Sequence, residues 1–165
     1  MEINWLITFI AALVPMVMGY IWYNPKVFGN AWMSSAGLSM ESMKGMNMGM
    51  TLGLSFLFSF MVAFILHPIV IHQYGLFSLL QNQPGMNETP ITNPDWQLLM
   101  PKYADNFRTF KHGAFHGVIA GLFFLLPITA TSALYERRGF KYIAITVGYW
   151  VVNLAIMGGL LSQYK

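Results

Sequence analysis

The sequence predicts an all-α membrane protein: four transmembrane helices in a small bundle, with a long loop between the second and the third. Two observations predict it. Asp, Glu, Lys and Arg make up only 9% of the chain and hydrophobic residues 56%, where a soluble domain carries roughly a quarter charged residues and needs a charged surface. The few charges also leave four gaps, from Ile3 to Pro25, Gly45 to Asn87, His112 to Tyr135 and Tyr142 to Tyr164. Each gap holds the ~20 apolar-rich residues that a helix needs to cross ~30 Å of hydrocarbon. Backbone groups in lipid must bond within their own segment, so each gap reads as a helix. The expectation is one integral-membrane domain over residues 1–165, with spans at about 3–23, 45–72, 105–135 and 142–164.

Span 1 lacks the basic start and small-residue cleavage site of a signal peptide, so it is expected to be a retained helix; Pro15 predicts a kink. The stretch GYIWYNPKVFGNAWM, Gly19 to Met33, follows. Trp22 and Tyr23 have the apolar body and polar tip of interfacial anchors. Asn24-Pro25 biases the chain out of the helix, and Lys26 marks the boundary. Phe28 and Trp32, four apart, would lay one face of a short helix back onto the membrane, with Gly29 permitting close approach. A re-entry elbow is expected. Span 2 opens after a methionine-rich run in which Ser39 is placed to cap a short helix. Loop 2, from about Gln73 to Phe110, carries Pro84, Pro90, Pro94 and Pro101, which forbid one continuous helix. Tyr74, Phe77, Trp96 and Tyr103 would hold parts of it at the membrane surface. Span 3 is expected to start near Asp105 as N-cap and to bend at Pro127. A tight loop, Glu136 to Lys141, leads to span 4. There Asn153 has no charged partner and is read as an inter-helix hydrogen bond.

Glycines four apart share a helix face and let another backbone approach. Gly45, Gly49 and Gly53 open span 2, and Gly113, Gly117 and Gly121 open span 3. Both ladders are expected to pack within the bundle or at an oligomer interface. Orientation rests on Lys26, Lys44, Arg137, Arg138 and Lys141 on one side, against Lys102, Arg108, Lys111 and Lys165 on the other. The dense third loop favours the cytoplasm for the first set, which leaves both termini outside. The net charge of +3 suits the lipid bilayer as partner, not nucleic acid.

Two constellations suggest chemistry. All four histidines flank loop 2: His67 and His72 close span 2, and His112 and His116 open span 3. At a rise of about 1.5 Å per residue, His67 and His116 fall at similar depth. His112 and His116 share a face at the i,i+4 spacing that suits two ligands on one metal, and ionisable residues in a membrane suggest function. A metal site, a pH-sensitive latch and neutral imidazoles bracing two helices are the readings available. The second constellation is methionine: Met40, Met43, Met46, Met48 and Met50 have thioether spacings that suit Cu(I), or else supply a flexible apolar face. The two sets lie on opposite sides of the membrane. Catalytic fingerprints are absent, no acid lies inside a span, and no cofactor motif is found. Cysteine is absent, so no thiolate chemistry is available.

Residues Trp22, Tyr23, Pro25, Phe28, Gly29, Trp32 and Met33 form a WYxPxxFGxxWM-type segment, and His112, Gly113, His116 and Gly117 an HGxxHG-like start to span 3. Together they resemble the mostly bacterial membrane family called domain of unknown function 1761. The resemblance implies a small four-helix protein, in this setting of a bacterial cytoplasmic (inner) membrane, and brings no activity with it. Three functions are therefore expected as alternatives. One is a non-enzymatic bundle acting as a homo-oligomer or accessory subunit of a larger membrane complex. Another is a channel or carrier lined by groups such as Thr8, Ser55, Ser59, Thr146 and Asn153. The third is metal handling by the histidines and methionines.

Overall fold

The computed structural model describes residues 3–164; the readings that involve Met1, Glu2 and Lys165 lie outside the described residues. Helices account for most of the described chain, and no strand occurs among those residues. In order they are α1 (Trp5–Trp22), α2 (Gly29–Ser35), α3 (Met48–Val70), α4 (Gln73–Leu80), α5 (Pro94–Tyr103), α6 (Phe110–Ala120), a π-helical turn (Gly121–Leu125), α7 (Leu126–Tyr135) and α8 (Phe140–Gln163). Four stretches are long and apolar enough to cross a membrane: α1, α3, α6 through α7, and α8.

Helix α8 is the centre. Half of its most apolar window is buried, against 17% to 22% for the other three spans. It touches α1, α2, α3, α6 and α7. Its closest neighbour is α6, and glycine is the reason. A Cβ on Gly113 would strike the carbonyl oxygen of Gly158, and one on Gly117 the carbonyl oxygen of Leu154. On Gly121 it would stand 2.7 Å from Val151 Cγ2. Backbone meets backbone, as small-residue stripes allow in lipid. On the other side of α8, Ala11 and Ala12 of α1, Ala63 and Leu66 of α3, and Met157 and Leu161 of α8 form the buried core. Asn153 is fully buried in α8 and spends its Nδ2 on its own helix, donating to Tyr149 O at 2.8 Å. The expected inter-helix bond is instead made by Tyr149, whose hydroxyl donates to Pro15 O at 2.6 Å.

Helix starts follow side-chain caps. Asn4, Asn47, Asn93 and Thr109 each accept a backbone N–H of the first turn, satisfying donors that have no partner inside the helix. Three expectations are corrected here. Span 3 begins at Phe110 under Thr109, not at Asp105, because the residues between complete a turn after α5. Ser39 caps no helix: it closes a turn with Ser42. Among the described residues the ladder Gly45, Gly49 and Gly53 does not make the expected packing within the bundle: a Cβ on Gly45 or Gly53 would meet no atom within 4 Å, and one on Gly49 only Asn47 Oδ1 at 3.6 Å. Gly45 precedes α3 and has φ of 87°, so it serves the turn. Inside span 3 the chain stays helical through Pro127 by widening the turn before it; Leu126 N–H reaches Gly121 O. Proline donates no hydrogen bond and crowds the preceding turn, which a π-turn relieves.

The elbow after α1 folds inward. Trp22 Nε1 donates to Ile145 O at 3.2 Å, so the ring is fastened to α8. The Trp22 ring lies 4.6 Å from Phe28, tilted at 41°, and Tyr23 lies 5.0 Å from Trp32 and 5.1 Å from Tyr149. This packing buries the Tyr23 hydroxyl and raises its pKa. Gly29 is obligatory, since any Cβ would strike Tyr23 O. The Arg138 guanidinium donates to Ala36 O and pairs with Glu136 at 3.5 Å, tying α2 to the α7–α8 turn. The segment is thus a clamp on α8, with Tyr149 the partner that the local sequence did not point to.

Replacing Gly117 by Ala is expected to cost about 2 kcal/mol or more, because rigid backbone occupies the space. Gly53→Ala is expected to be neutral or stabilising by up to about 1 kcal/mol. Thermal unfolding in mild detergent compares the two. By the same measurement, Tyr149→Phe should cost about 1 kcal/mol, the size of one net hydrogen bond.

Candidate metal centre

Three of the four histidines meet at one point. Helix α3 stops at Val70, and Ile71 turns extended. His72 therefore leaves the α3 cylinder and becomes the N-cap of α4. His112 and His116 sit one turn apart on α6. Each directly precedes a glycine of the stripe against α8, so each is rotated about 100° from that contact. The glycines face α8 and the histidines face His72.

His72 Nε2 lies 2.8 Å from His112 Nε2, and His116 Nε2 lies 3.1 Å from the same atom. One nitrogen from each ring, all three within 4.8 Å of one another, defines the cluster. The ring planes are inclined at 50°, 57° and 80° to one another, so the nitrogens converge from different directions. Hydrogen bonding alone serves this arrangement poorly. A neutral imidazole nitrogen carries either one N–H or one lone pair, so His112 Nε2 can make one good hydrogen bond and not two. A cation at the centre takes all three lone pairs at once. Nitrogens bound to one ion at ~2.1 Å stand about 3.0–3.4 Å apart, close to the 2.8 and 3.1 Å that separate His112 Nε2 from its two neighbours. The residues fit a metal.

The surroundings are apolar and open on one side. Phe107 lies 4.8 Å from the His112 ring, near-parallel to it, and 5.3 Å from His72, edge-on. It holds this place with φ of 62°, a backbone conformation unusual for a bulky side chain. Ser162 Oγ donates to Phe107 O at 3.3 Å and links that loop to the end of α8. His72 is exposed, while His112 and His116 are half-buried. His116 also borders an apolar groove of about 520 Å³ between α3 and the π-turn.

His67 belongs elsewhere. It is buried against α1, where its Nε2 lies 3.4 Å from Thr8 Oγ1. Its Nδ1 faces the carbonyls of Ala63 and Phe64 at 3.1 and 3.2 Å, so that nitrogen carries the proton. His67 stays on α3 while His72 lies beyond the break at Ile71, so the two rings have different neighbours. The methionine run leads into the first turn of α3, at the far end from the trio, and Met40, Met46, Met48 and Met50 are exposed. Of the groups considered for a pore, Thr8, Ser59 and Asn153 are buried in packing, and Ser55 is exposed on the outside. Sequence spacing could pair His112 with His116. It grouped His67 and His72 with that pair, could not tell which of the two joins it, and had no signal for Phe107.

A metal-free comparison of His67→Ala and His72→Ala should separate their roles. The first removes a buried, bonded ring and is expected to cost about 2 kcal/mol or more; the second changes an exposed residue and should stay within about 0.5 kcal/mol. Unfolding in detergent after chelation measures both.

No curated protein and no solved structure matches the chain. The family model described as "Protein of unknown function (DUF1761)" matches residues 6–162, nearly the whole chain. The chain, with its four membrane-length helices and its histidine trio, therefore belongs to the DUF1761 family, whose function is unknown.

Proposed function

We propose that this protein is a metal-binding integral membrane protein whose centre is His72, His112 and His116. The convergence of three Nε2 atoms on one point carries the reading. Imidazole donors suit zinc, copper, iron or nickel. Three histidines leave a coordination position open, whereas structural zinc sites are closed by four protein ligands. The proposed setting is a bacterial cytoplasmic membrane with both termini outside, which puts the trio on the outer side. There an exposed His72 would meet incoming ions.

Stripped protein titrated with Zn²⁺, Cu²⁺ and Ni²⁺, one metal at a time, should take up one equivalent of at least one of them. It should also gain thermal stability, about 2.7 kcal/mol at a free-metal concentration 100-fold above Kd. His112→Ala should abolish both effects. If none of these metals binds, or the variant binds as the parent does, the metal reading fails.

A second reading concerns assembly. We infer that the glycine face of α3, Gly49 and Gly53, which meets no other helix among the described residues, pairs with another helix of an oligomer or larger membrane complex, as such faces do in lipid. Bulky substitution at Gly53 should then lower the oligomer's share in native mass spectra; a spectrum showing only monomer before and after would remove the idea.

A further inference from the structure

On the histidine side of the bundle lies a second cavity, of about 270 Å³, roofed by α4 and α5 and floored by the ends of α1, α3 and α8. None of the metal trio lines it. Arg108 does. A guanidinium has five N–H donors and no acceptor. Among the described residues, Arg108 donates from Nη2 to Tyr164 O at 3.3 Å, while its Nε is buried without a partner. The ion pairs among the described residues join Lys44 to Glu41 and Arg138 to Glu136, and neither includes Arg108.

The hydroxyl of Tyr74, on the same cavity, is also buried without a partner. Burial works against the charged form of Arg108, so the guanidinium charge is held here at a cost. Ile7, Ile71 and Leu161 supply apolar walls, which exclude water and strengthen any charge interaction inside. Gln73 shows that the wall is built. Its Nε2 donates to Tyr103 O at 2.7 Å and to Asn106 O at 3.0 Å, fastening the end of α5 over the cavity. Gln73 is 5% exposed, and its Oε1 has no partner. The walls thus hold a half-buried cation and a hydroxyl in need of an acceptor. Leaving such groups unmet is expensive.

We propose that this cavity is an oxyanion site, in which a phosphate or carboxylate group accepts hydrogen bonds from Arg108 and Tyr74. Arginine recognises both groups through its paired N–H donors. The volume admits a headgroup or a small acid, not acyl chains. Two sources share this chemistry: a phospholipid headgroup entering from the adjacent interface, and a free solute. The site is independent of the metal trio and needs no metal for its test.

The protein in mild detergent is to be titrated with inorganic phosphate, acetate and short-chain phosphatidylglycerol, followed by thermal shift, and its co-purifying lipid read by native mass spectrometry. At least one probe should bind. Arg108→Met should weaken that binding tenfold or more, the worth of a charge-assisted hydrogen bond, and Tyr74→Phe severalfold. One phospholipid retained per chain by the parent and lost from Arg108→Met identifies the headgroup as the source. A shift with phosphate or acetate and no retained lipid identifies a free anion. Tyr74→Phe removes a single oxygen, so it carries the test if Arg108→Met does not fold. No binding of any probe and no retained lipid, or binding unchanged in the folded variants, overturns the proposal.

Discussion

The approach of α6 to α8 is the contact on which the rest of this structure depends. Between helices in lipid there is no hydrophobic drive, because the surrounding chains are as apolar as the side chains. Close packing must supply the attraction. Gly113, Gly117 and Gly158 supply it by having nothing beyond Cα, so that carbonyl oxygens of one helix lie against the backbone of the other, the geometry of weak Cα–H···O bonds. With α6 seated this deeply, α8 becomes the central helix, and α1 and α3 close its other side through alanines and leucines.

That contact also sets the chemistry. His112 and His116 alternate with the contact glycines, so locking the glycines onto α8 locks the rotation of α6 and aims both imidazoles toward the start of α4. The third ring arrives because α3 ends early. Had α3 continued through His72, that ring would have stayed about 140° from His67 on one cylinder. Loop 2 completes the arrangement. Gln73 pins the end of α5, and Phe107 is held over the imidazoles by an unusual backbone conformation. A loop built this way positions groups rather than merely joining spans.

The two ends of the bundle are made differently. At the elbow end, Trp22, Tyr23, Phe28, Trp32 and Tyr149 interlock, and Trp22 and Arg138 add hydrogen bonds to backbone oxygens. Those hydrogen bonds fasten α1 to α8 and α2 to the turn before α8. At the loop-2 end, three histidines converge, and among the described residues the Arg108 Nε and the Tyr74 hydroxyl are buried beside a cavity without a partner. The clamp ties α1 and α2 to α8 at one end; at the other, Gln73, Tyr74 and Arg108 bring polar atoms without partners to the wall of one cavity.

Much of this was legible in the residues themselves. Membrane spans are read directly, because a bilayer demands an unbroken apolar length and the charges mark its limits. The prolines of loop 2 and the aromatic elbow were visible for the same local reason, as was the i,i+4 pair His112 and His116. Tertiary structure decided what periodicity cannot encode. Two glycine ladders of equal spacing behave differently, since only Gly113–Gly121 meets a backbone opposite, while Gly53 meets none. Two histidines closing the same span part company, since a break at Ile71 sends His72 to the trio and leaves His67 against Thr8. Spacing along one helix says which residues share a face; which partner fills that face depends on where the other helices lie.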